Sequence, residues 1–112
     1  MPSPLDFLKR LGSLQADKIH VTQITVGTAG TPVQFATVKT PCDRVDVSAD
    51  TDAGSIMAVG DSSVDAVSPN KNGLMILPGN APHTIYINDL SKLYVDAETS
   101  GGRLCIAYYT RD

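Results

Sequence analysis

The sequence predicts an all-β protein, an antiparallel sandwich or barrel of about eight short strands with a short helix or arm at the N-terminus. Three observations carry this reading. From Lys18 onward β-branched residues dominate, and apolar side chains recur with a period of two. Turn formers, chiefly Gly, Pro, Asn and Asp, return roughly every ten residues. Between them no stretch has the helical period that a crossover between parallel strands requires.

The chain divides into a helical arm, residues 1–17, and a β-sandwich domain, residues 18–112. In the arm, Ser3 suits an N-cap, Pro4 the first helical position and Asp6 the first turn. Leu5, Leu8 and Leu11, with Phe7 and Leu14, form apolar rows at helical spacing, and Gly12 marks the end of the helix. So short a helix is marginal in water by itself, so its apolar face needs a surface to cover. That surface is either an open end of its own sheet or a neighbouring subunit or partner.

In the first strand Ile19 and Val21 share one parity and Ile24 and Val26 the other, which predicts a bulge near Gln23 or a change of buried face. Residues 27–32 read as a loop. Residues 33–39 read as a second strand with Val33 and Phe35 on one face, stopped by Pro41. Residues 43–50 alternate most cleanly, with Val45, Val47 and Ala49 opposite Arg44, Asp46 and Ser48, so one face is buried and one is wet. The Asp- and Gly-rich residues 50–54 then predict a hairpin into a strand at 55–60.

Residues 60–72 are rich in Ser, Asp, Asn and Gly, giving a loop or a short edge strand, and Pro69 argues against central pairing. Residues 74–77 are a continuous apolar run ended by Pro78 and Gly79, a strand covered on both faces or at an edge of the core. Beyond Pro82, Ile85 and Ile87 point one way; Leu93, Val95 and Ala97 repeat the pattern, with Tyr94 and Asp96 outward. The last strand, 103–111, sets Leu104, Ile106 and Tyr108 on one face and Cys105, Ala107 and Tyr109 on the other, which makes it buried or interfacial.

At 112 residues the chain fits one domain, and 42% hydrophobic with 19% charged residues is a globular composition. The net charge of -3 and the absence of a Lys/Arg cluster argue against nucleic acid as a partner. The apolar runs are too short to cross a bilayer, and no basic segment leads into an apolar leader, so the expectation is synthesis in the cytoplasm and no membrane partner. Cys42 and Cys105 are too few for a zinc cluster and read as small apolar fillers; whether they pair stays open.

Several short constellations suggest chemistry but lack the partners it needs. Gly60-Asp61-Ser62-Ser63 is like the Gly-Asp-Ser motifs of serine hydrolases, yet neither a Gly-x-Ser-x-Gly elbow nor a paired Asp-x-x-His is present. Asp50, Asp52 and Gly54 begin like a calcium loop without its remaining ligands, so a turn cap is the expectation. His20 and His83 have no ligand-forming neighbours at metal spacing, and residues 27–30 lack the Lys-Ser/Thr pair and the helix of a phosphate loop. For sugar binding, Tyr86 and Tyr94 are the candidate platform if they share an outward face. The sequence thus leads to no catalytic residues, no metal and no cofactor.

Taken as a whole, residues 31–109 resemble the small β-rich virion proteins of tailed bacteriophages. The likeness lies in the order TPVQFATVKTPCDRVDVSADTDAGSIMAVGDSSV followed by GLMILPGNAPHTIYINDLSKLYVDAETSGGRLCIAYY. It comprises a Thr-Pro-Val-Gln opening, a Cys before an alternating strand, an Ala-Asp turn, a Val-Gly-Asp-Ser-Ser exit, a Leu-x-Pro-Gly turn and an Asn-Asp-Leu-x-x-Leu-Tyr-Val approach to the final strand. Residues 1–26 lie outside it. The resemblance implies a jelly-roll-like β-sandwich that acts as a capsid decoration (cement) protein, a homo-oligomer, dimer or trimer, bound to the major capsid protein on the virion surface. A carbohydrate- or receptor-binding module of a head or tail fibre is the alternative. The candidate interface residues are Leu5, Phe7, Leu8, Leu11 and Leu14 of the arm, with Tyr108 and Tyr109 of the last strand.

Overall fold

The structure, a computed structural model, describes residues 17–52 and 54–111, so the arm helix and its five apolar candidates lie outside the described residues. The strands are β1 (Lys18–Val26), β2 (Val33–Gln34), β3 (Arg44–Ala49), β4 (Met57–Gly60), β5 (Leu74–Ile76), β6 (His83–Ile85), β7 (Tyr94–Ala97) and β8 (Gly102–Thr110), with one 3-10 turn at Leu90–Lys92. They form two four-stranded sheets, ordered β1-β8-β3-β6 and β2-β7-β4-β5. All pairings are antiparallel.

The order has a simple origin. β1 pairs with β8, β2 with β7, β3 with β6 and β4 with β5, as in one long hairpin folded at its middle. The β3–β8 and β4–β7 pairings then roll that ladder into two layers, which is the jelly-roll arrangement. Val26, Val45, Val47, Met57, Ile76, Val95 and Leu104 are sealed between the layers and form the centre of the core.

β3 alternates as its sequence requires, with Val45, Val47 and Ala49 buried and Arg44, Asp46 and Ser48 half-buried on the other side. Its predicted hairpin with β4 does not form: the two strands belong to different sheets. The acidic turn is fastened to β8 instead, because the Asp50 N–H donates to the Arg103 carbonyl and the Asp50 carboxylate pairs with the Arg103 guanidinium at 2.8 Å. The same carboxylate accepts the Asp52 N–H at 2.8 Å, so this stretch is a crossover capped by its own side chain. The predicted strand at 33–39 shrinks to Val33–Gln34, and the chain then carries Phe35 into the core while Val38 stays in solvent.

β1 has no bulge. Its register with β8 is unbroken from Lys18 to Val26, and the switch of parity has a different cause. Ile24 and Val26 lie under the second sheet, whereas Ile19 and Val21 face outward, 58% and 74% exposed.

The two sheets are covered unequally. Residues 61–73 fold over the outer face of β2-β7-β4-β5, where Val64 and Ala66 bury Ala58 and pack against Met75 and Tyr94. Asp96, outward by parity, is therefore fully buried, with one carboxylate oxygen accepting the Gly30 N–H at 2.9 Å and the other the Ala66 N–H at 2.8 Å. Gly73 allows the close return of this loop: it holds φ of +119°, and a Cβ there would lie 2.7 Å from Val64 Cγ2. No comparable segment among the described residues covers the outer face of β1-β8-β3-β6.

Candidate functional site

That face holds a groove of about 520 Å³, lined by Val21, Gln23, Cys105, Ala107, Tyr109 and Pro82 among others. β8 runs through the middle of its sheet, so the outward half of its alternation, Cys105, Ala107 and Tyr109, forms the groove floor. β1 supplies one wall through Val21 and Gln23, and β3 the other through Asp46 and Ser48.

The polar end of the groove is fixed by Tyr109. Its hydroxyl donates to Asp46 Oδ2 at 2.8 Å, the Thr84 hydroxyl donates to the other oxygen, and the Arg44 guanidinium lies 4.1 Å from the ring centroid. The hydrogen bond to Asp46, then burial, then the Asp46 charge push the Tyr109 hydroxyl above its ordinary pKa against the opposing charge of Arg44. Tyr109 thus stays a neutral donor well past physiological pH. Beside it Arg111 pairs with Asp43 at 3.0 Å.

Tyr108 and Tyr109, expected together at an interface, point to opposite sides of the sheet. Tyr108 turns inward, packs against the core and stacks on His20 with ring centroids 4.8 Å apart and planes at 16°. His20 also shares a hydrogen bond with the Thr110 hydroxyl at 3.1 Å. Only Tyr109 reaches the groove. Alternation puts Asp46 and Ser48 on the outward face of β3, but only the pairing of β3 with β8 and with β6 brings them and Pro82 to the groove.

Asp61 accepts the N–H and the hydroxyl of Ser63, which closes a turn and lowers the Asp61 pKa. These residues lie in the loop over one sheet, while His20 and His83 belong to strands of the other. Tyr86 follows β6 and is exposed, whereas Tyr94 belongs to β7 of the opposite sheet and packs beneath the covering loop; they form no common platform. Cys42 and Cys105 are both free thiols. The Cys42 thiol is buried, donates to the Ile87 carbonyl at 3.2 Å, and is pushed up in pKa by burial and by the charges of Asp89 and Asp43. Among the described residues no three His, Cys, Asp or Glu side chains gather as a metal site, and no helix is long and apolar enough to cross a membrane.

What the groove offers is an apolar floor with polar side chains along its walls and the Tyr109–Asp46 pair at one end, a surface suited to contact. Comparison with protein-family models, with curated proteins and with solved structures gave no match.

Proposed function

We propose that this protein is a structural protein of a tailed-phage virion, a decoration protein that binds the outer capsid surface and stabilises the shell by bridging capsomers. The observation that carries the reading is the inequality of the two sheets: one is closed by its own loop, and the other leaves an apolar groove and the exposed Ile19 and Val21 in solvent. The order of short motifs from Thr31 to Tyr109 adds the likeness to small phage virion proteins, and viral capsid domains are one of the settings in which jelly rolls occur.

The physics needs no reaction. A thin shell under pressure from packaged DNA fails where capsomers part, and a small protein seated across that boundary resists the opening. Each contact is modest, and symmetric copies that touch several subunits multiply weak contacts by avidity. In this reading the bare face and residues 3–14 of the arm make the contacts. A fibre module reading carbohydrate is less favoured, because Tyr86 and Tyr94 lie on opposite sheets.

The test is rebinding of purified protein to capsids stripped of it. Ala107→Lys puts a long charged chain into the groove floor while leaving it opposite Asp46, and deletion of residues 1–14 removes the arm. Both variants are expected to keep the β-rich circular dichroism of the parent and to lose capsid occupancy. Undiminished occupancy in both would overturn the assignment.

A further inference from the structure

A jelly roll built from two open sheets has four edge strands, and here three of them are blunted. β2 is two residues long and follows Pro32; β5 is three residues long with Pro78 just beyond Leu77; β6 is three residues long and follows Pro82. Short strands and flanking prolines are the ordinary ways in which an edge is protected from pairing with another chain. The fourth edge, β1, has neither protection. It runs for nine residues without proline, its register with β8 contains no bulge, and its single charge, Lys18, sits at one end. Its Ile19 and Val21 are exposed. Among the described residues no strand pairs with its free side.

We infer that β1 is a homodimer interface, at which two copies pair their β1 strands antiparallel about a two-fold axis through Thr22. That is the one centre at which all nine residues find partners: Lys18 with Val26, Ile19 with Thr25, His20 with Ile24, Val21 with Gln23, and Thr22 with itself. No like charges meet, since each Lys18 faces a valine. Val21 of one copy lies diagonally across from Val21 of the other, so the most exposed apolar side chain of the strand gains an apolar neighbour. The two four-stranded sheets become one of eight strands, and the free N–H and C=O groups of the edge are satisfied. The arm is a poor occupant of this edge, because Pro2, Pro4 and the helical spacing of Leu5, Leu8 and Leu11 do not supply a period-two strand. The paired strand leaves the groove on the outer face, on the same side in both copies.

The experiment is sedimentation equilibrium of the full chain at micromolar concentrations, without capsids, so its outcome is separate from that of the decoration reading. The expected mass is twice the 11.8 kDa of one chain. Val21→Lys, at a position already in solvent, brings two like charges together across the axis and is expected to raise the dimer dissociation constant at least about tenfold with the fold intact. In a Cys105→Ser background, Thr22→Cys should be joined to its counterpart by a short bifunctional maleimide, and Tyr86→Cys, on the opposite edge of the sheet, should not. A monomer, a trimer, or a dimer that survives Val21→Lys and fails to crosslink through Thr22→Cys would overturn the proposal.

Discussion

Asp96 is a residue whose loss carries a large local cost. It is fully buried and holds two backbone amides from separate loops, Gly30 and Ala66, one on each oxygen. Asp96→Ala leaves both amides without an acceptor away from water, and the expected loss is about 2–4 kcal/mol of folding stability, measured by urea denaturation. Asp96→Asn keeps one acceptor oxygen and should lose roughly half as much. The sequence marked Asp96 as outward, which is right for its parity, but parity does not tell whether an outward face meets water. The covering loop, whose apolar content is little more than Val64, Ala66 and Val67, decides that. The same limit applies to Tyr109: its outward position was legible at the residue scale, and the Asp46, Thr84 and Arg44 groups that define its surroundings were not.

At the scale of elements, alternation predicted β3 and β8 well because each buries one face against the core. Pairing was less legible. Residues 50–54 have the composition of a hairpin turn, yet the Asp50–Arg103 pair ties them to β8 and sends β4 into the other layer. The 3-10 turn Leu90–Lys92 is another small element with a tertiary role. Its N-cap, Asp89, accepts the Ser91 N–H and also the Thr40 N–H, each at 2.9 Å, so it joins the turn to the connection before β3. Those backbone hydrogen bonds, Thr40 first and then Ser91, lower the Asp89 pKa against the effect of burial. A carboxylate with a lowered folded-state pKa contributes stability that is present above its unfolded value, near pH 3.9, and is lost as the pH falls through the folded value. Urea midpoints taken from pH 6 down to pH 2 should therefore decline for the parent below about pH 4, and Asp89→Asn should decline less over the same range.

At the scale of the whole molecule, the fold and the proposed role depend on the same inequality. One sheet is covered on both faces, while the other has one face in the core and one that no described residue outside the sheet covers as the 61–73 loop covers its counterpart. The overall class was legible because strand periodicity and turn spacing are local properties of the chain. The bare face was not, since it depends on which sheet the loop at 61–73 covers, a consequence of the jelly-roll path. A decoration protein of the kind we propose would act by occupying many equivalent positions on a larger surface, with an effect that scales with copy number. The most direct test is quantitative: purify virions, separate them from free protein, and count copies of this chain per particle. The decoration reading predicts on the order of hundreds of copies, lost together with the particle's resistance to heat or osmotic shock. Absence from the particle, or a few dozen copies or fewer confined to a vertex or tail, would contradict it.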